Sequence, residues 1–147
     1  GYIIAEKRLT AGIRKVHDFL TVCAPTPLQE GCLQAMKLPR AYYDTLVSNY
    51  DTSRKLLLKV LRSVGFECLT PEGAYYVWTK IDGTGFKDDR KLAEYLINEV
   101  GVGAVPGSSF YRRAEMGSRR LRFSFSKTPK TIRNAASRLA KMKRVPN

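Results

Sequence analysis

Between residues 120 and 126 the chain alternates polar and large apolar side chains: Arg120, Arg122, Ser124 and Ser126 against Leu121, Phe123 and Phe125. This period of two reads as a strand with one face in a core and the other turned outward. An arginine presented from so stiff a backbone can do one definite piece of chemistry. Its planar guanidinium pairs bidentately with a carboxylate and fixes the anion's orientation while binding it. Arg122, central on the polar face, is the candidate for this role, whereas Arg119 and Arg120 read as surface arginines. Other chemistries have weaker footing. His17 is the single histidine and stands on a helical pattern without a second ligand nearby, so no metal site is predicted. Cys23, Cys32 and Cys68 are odd in number and lack zinc or redox spacing, as expected of reduced, mostly buried thiols. Asp88 and Asp89 read as a helix start rather than an acid/base pair.

The elements that must hold Arg122 follow from periodicity and punctuation. Tyr2–Ala5 is a short apolar run and reads as a buried strand. Leu9, Ile13, Val16 and Leu20 recur at helical spacing and predict a helix over 6–20. Thr26-Pro27-Leu28-Gln29 reads as a capping box opening a second helix, which ends near Leu38-Pro39. A long helix is predicted over 41–64, with Gly65 at its stop; Arg54 interrupts its apolar stripe and needs a partner. Phe66–Leu69 and Ala74–Ile81 read as strands joined through Pro71-Glu72-Gly73, with Tyr75 and Tyr76 packed in the core. Asp88 caps a helix carrying Leu92, Tyr95, Leu96 and Val100, stopped by Gly101. Val102–Val105 reads as a strand broken by Pro106-Gly107. Thr128 caps the last helix, with Pro129 at its first position. The order implies an α/β chain, α+β in character: a small sheet packed with helices, preceded by a strand and helices of another unit.

Composition bounds the remaining classes. Of 147 residues, 44% are apolar and 27% charged, ordinary for a globular chain. No apolar run approaches the ~20 residues of a membrane-spanning helix, and the first residues lack the pattern of a secretory leader. The formal charge of +13 is concentrated at one end, with twelve Lys and Arg but only Glu115 as an acid from Arg112 to Asn147. That cluster supports an alternative reading as a basic nucleic-acid-binding module. Against it, Phe123 and Phe125 are predicted to face a core and so cannot stack on bases.

Four stretches taken together carry a resemblance: Gly1-Tyr2-Ile3-Ile4-Ala5, Pro71-Glu72-Gly73-Ala74-Tyr75-Tyr76, Val102 through Phe110, and Leu121-Arg122-Phe123-Ser124-Phe125-Ser126. In order and spacing they resemble the C-terminal part of class I/II aminotransferases of the pyridoxal-phosphate (PLP) fold type I, over essentially the whole chain. The resemblance implies the C-terminal domain of the PLP-dependent transferase fold. It places residues 1–36 in the tail of the large PLP-binding domain and 37–147 in the small domain, which is expected to fold by itself. With residues 1–36 uncovered, self-association or disorder is expected over Tyr2–Leu20. The resemblance further implies a cytoplasmic homodimer that transfers an amino group between an amino acid and a 2-oxo acid. Arg122 matches the residue that holds the substrate α-carboxylate, and Gly107 and Phe110 lie in a loop expected near the substrate entrance. The family's Schiff-base lysine, in a Ser-x-Ser-Lys segment followed by Gly-x-Arg, has no match here. Ser124-Phe125-Ser126-Lys127 imitates its first letters, but Thr128-Pro129 starts a helix there. No catalytic residue is therefore expected in this chain, and alone it is expected to be inactive and not to hold PLP.

Overall fold

The computed structural model describes residues 1–142. Five helices and four strands occur in the order α1 (Lys7–Leu20), α2 (Thr26–Met36), α3 (Arg40–Ser63), β1 (Glu67–Cys68), β2 (Tyr76–Lys80), α4 (Asp89–Tyr95), β3 (Val105–Pro106), β4 (Arg120–Ser124) and α5 (Pro129–Leu139). The chain divides into two compact units, Gly1–Tyr43 and a second beginning at Asp44.

In the first unit, the expected helices form with slightly shifted ends. The predicted strand at Tyr2–Ala5 does not: residues 1–6 adopt no regular element, and no strand among the described residues pairs with them. A strand exists only through a neighbour that takes up its backbone groups, and apolar content cannot supply one. Thr26 is also not the cap it was expected to be. The chain turns into α2 one residue earlier, at Pro25, whose carbonyl accepts from the amides of Leu28 (3.0 Å) and Gln29 (3.2 Å). No residue of 1–43 is buried.

The second unit is an α/β arrangement: a four-stranded antiparallel sheet of order β1-β2-β4-β3, packed with helices. Leu57 and Leu61 of α3, Val77 of β2, Leu92 of α4, Leu121 and Phe123 of β4 and Ile132 and Leu139 of α5 meet in one core. The predicted alternation in 120–125 is realised, with Leu121, Phe123 and Phe125 buried. Strand β3 is shorter than expected and sits at an edge, where Pro106 forfeits no ladder bond. Local signals act as read. Asp88 accepts from the Lys91 amide at 2.8 Å and Thr128 from the Thr131 amide at 3.2 Å. After α4 a π-helical turn, Leu96–Val100, ends at Gly101 with φ of 73°, a conformation that favours glycine. Arg54 has the partners its position demands: Asp51, and the Pro71 carbonyl at 2.8 Å.

Candidate functional site

The face of the sheet opposite the core is built by register. Strand β4 lies between β2 and β3, so Arg122 stands directly across from Trp78 on one side and Val105 on the other. Alternation along β2 puts Tyr76, Trp78 and Lys80 on this half-buried face, while Val77 and Thr79 go inward. Tyr76 was expected in the core; the register instead turns its ring outward, with its centroid 4.1 Å from the Arg122 guanidinium carbon. The Phe110 ring approaches the same carbon at 4.5 Å and meets Trp78 edge-on, centroids 5.3 Å apart. Rings at these distances attract the guanidinium and restrict its orientation.

The guanidinium keeps its polar edge. Among the described residues, it makes ring contacts but no ion pair or hydrogen bond to a carboxylate or carbonyl. Five N–H donors are thus held in a fixed plane without an acceptor, the geometry that bidentate carboxylate binding uses. Neighbouring arginines differ. Arg119 is committed to Asp82, its Nε donating at 3.0 Å, and this hydrogen bond holds the Asp82 carboxyl below its ordinary range. Arg54 is occupied by Asp51. Beside the site, Tyr75 and Tyr76 have ring centroids 4.4 Å apart. The Tyr76 hydroxyl raises the Tyr75 phenol above its ordinary value, and the nearby Arg122 charge opposes that rise.

The loop after β3 brings Phe110 here. Gly107–Phe110 forms a 3-10 turn. Gly107 does not open onto the site. Its backbone presses against Gly117, where an added Cβ would come within 2.5 Å of the Gly117 carbonyl oxygen. Of the two loop candidates, then, Phe110 is in contact with Arg122, and Gly107 allows the close crossing that holds the loop.

The lysines stand apart. Lys80, the lysine in the strands of this face, pairs with Glu67 at 2.7 Å. Lys127 follows β4 in a turn before α5 and lines a separate cleft of about 470 Å³ with Gly101, Phe123 and Arg138. This face therefore does not fit PLP without further residues: among the described residues it offers a guanidinium without a protein acceptor and aromatic walls, but no unengaged amine. No group of three or more His, Cys, Asp or Glu gathers among the described residues. Phe123 and Phe125 are buried and cannot stack on bases. Of the basic cluster at that end, Lys143 and Arg144 lie outside the described residues. Sequence reasoning missed Tyr76 and Trp78. Their shared parity in 76–80 was visible, but the pairing of β2 with β4 was not.

Comparison with known proteins agrees with this arrangement. The family model described as aminotransferase class I and II matches residues 1–139. The chain is 28% identical to a kynurenine–oxoglutarate transaminase of Dictyostelium discoideum over 98% of its own length and 38% of that protein's. It is 30% identical to a methionine aminotransferase of Escherichia coli, over 97% of this chain and 36% of the relative. The structure of N-succinyldiaminopimelate aminotransferase from Mycobacterium tuberculosis superposes with a TM-score of 0.83 at 26% identity, covering 95% of this chain and 36% of that one. The chain thus spans little more than a third of the length of these relatives. Among the described residues no helix is long and apolar enough to cross a membrane.

Proposed function

Because the chain belongs to the class I and II aminotransferase family, we propose that it supplies the part of a PLP-dependent enzyme that grips the substrate, with Arg122 binding the α-carboxylate. Members of this family act on amino and 2-oxo acids and are typically dimeric. In the proposed enzyme an amino group moves between these two substrates, and the same guanidinium receives the carboxylate of each in turn. The observation that carries the reading is a half-buried arginine, walled by Tyr76 and Phe110, whose donors have no protein acceptor among the described residues. Its fixed plane would hold the substrate in one orientation, which the reaction at Cα requires.

Residues 1–36 are assigned to the tail of the large cofactor-binding domain and 37–147 to the small domain, in a cytoplasmic homodimer. Because the segment that carries the family's cofactor lysine has no match here, and neither Lys80 nor Lys127 stands free on this face, that lysine is assigned outside this chain, which alone is read as inactive. Kinetics of the complete enzyme carrying Arg122→Lys test the grip. Lysine keeps the charge but loses the fork, so kcat/KM for both substrates should fall by about ten- to a hundredfold, the weight of charged hydrogen bonds. Unchanged values for both would sink the assignment. The second arm assays the 147-residue chain with added PLP; turnover there would refute its inactivity.

A further inference from the structure

One buried carboxylate lies outside the grip. Asp89, the first residue of α4, is 1% exposed, and its Oδ2 accepts from the Ser108 amide at 2.7 Å. Its own amide donates to the Ser118 carbonyl at 3.1 Å. The carboxylate therefore ties the 107–110 turn to α4, next to the Gly107–Gly117 crossing, where the Ser108 amide nitrogen also lies close to Gly117. Arg90 adds a longer bond, its Nε donating to Ser108 Oγ at 3.3 Å. Two residues past Ser108, Phe110 lies over Arg122 and against Trp78. A charged acceptor buried on a single loop amide is costly unless it is well bonded, and removing it leaves that amide unsatisfied.

We propose that Asp89 is a positioning residue for the carboxylate grip: it latches the Ser108 amide, which sets the turn, which sets the Phe110 ring that orients Arg122. The inference rests on the reading of Arg122 as a carboxylate site for its consequence, but not for its geometry. It makes the rigidity of the grip depend on a residue that never touches the ligand.

The test uses the 147-residue chain, whose single tryptophan, Trp78, touches Phe110. Asp89→Ala removes the acceptor; Asp89→Asn keeps a carbonyl oxygen in the same place. Without ligand, the alanine variant should show red-shifted Trp78 emission and stronger acrylamide quenching, and the asparagine variant should resemble the wild type. Affinity for 3-phenylpropionate, a carboxylate with an apolar body, is then followed by the Arg122 side-chain N–H signals. It should weaken about tenfold in Asp89→Ala, within the usual range of coupling between residues, and return in Asp89→Asn. A folded alanine variant with wild-type emission and affinity overturns the latch. If neither wild type nor Arg122→Lys binds the probe, the grip itself fails, and Trp78 emission alone decides the latch. Should Asp89→Ala not fold, hydrogen exchange in the wild type decides. A Ser108 amide as protected as those of β4 supports the latch, and one exchanging as fast as residues 112–116 overturns it.

Discussion

Helices α1 and α5 are written in the same idiom, each with apolar residues at three- and four-residue spacing on one face and basic residues on the other. Yet α5 buries Ile132 and Leu139, whereas α1 buries nothing. The contrast extends to their surroundings. Ile132 and Leu139 join one continuous core with α3, α4 and the sheet, while Phe19 is 94% exposed and Tyr2, Ile3 and Ile4 lie open to solvent. Amphipathic spacing fixes which face of a helix seeks cover; whether cover exists depends on a second layer with its own apolar face. From Asp44 onward the sheet is that layer. In 1–43 the proposed reading assigns it to the large domain.

Substitution is the strongest way to break the contrast. Leu61, fully buried in α3, should cost about 2–5 kcal/mol as Leu61→Ala, since lost transfer energy and a residual cavity add. Phe19→Ala removes a larger side chain but should stay within about 0.5 kcal/mol. Urea unfolding of the 147-residue chain measures both. A large loss at Phe19 would mean that α1 is covered in solution, and the self-association expected over Tyr2–Leu20 would then appear as concentration-dependent stability.

Thiol chemistry sharpens the same contrast. Cys23 and Cys32 are exposed in the first unit, against the expectation of mostly buried thiols, because no core forms around them. Cys68, next to the core, is half-buried, and burial pushes its thiol from 9.0 up to about 11. With its folded value raised, Cys68 stays protonated until the pH approaches that value, and the attacking species is the thiolate. At pH 8, labelling by a disulfide reagent should therefore run on the order of a hundredfold slower at Cys68 than at the thiol of a small model peptide. Its contribution to stability has the matching sign, intact below pH 9 and falling as the pH rises towards 11. Equal labelling of all three cysteines would show that the second unit opens readily around β1.

What could be read from sequence divides along similar lines. The Asp88 and Thr128 caps, the stop at Gly101 and the alternation around Arg122 are each decided within a few neighbouring residues, and each is found where the pattern places it. Tyr76, Trp78 and Phe110 reach Arg122 only through β2–β4 pairing and a loop crossing, neither of which any short window encodes. The Asp89–Ser108 bond spans nineteen positions and was hidden by Asp89's plausible role as a helix-start acid. Tyr2–Ala5 errs in the opposite direction: its composition suits a strand, but strand formation also needs an edge to pair with.

The smallest expected effect compares two threonines that look alike in sequence, each followed by proline at the start of a helix. Thr128 precedes α5 with its hydroxyl free to accept the Thr131 amide at 3.2 Å. Thr26 already lies inside α2. The donors it would have served are taken, because the Pro25 carbonyl accepts from Leu28 and Gln29, and the Gln29 side-chain amide reaches back to the Ala24 carbonyl at 2.8 Å. Thr128→Ala should therefore cost about 1 kcal/mol and speed hydrogen exchange at the Thr131 amide. Thr26→Ala should change stability by less than about 0.5 kcal/mol and leave exchange at Gln29 as it was, since alanine is also the better helix former. Reading exchange at each amide matters, because a global melt would miss a local loss in the first unit if that unit unfolds separately. Faster exchange at Gln29 in Thr26→Ala would mean that the hydroxyl, and not Pro25, opens α2, and the two helix starts would then be equivalent after all.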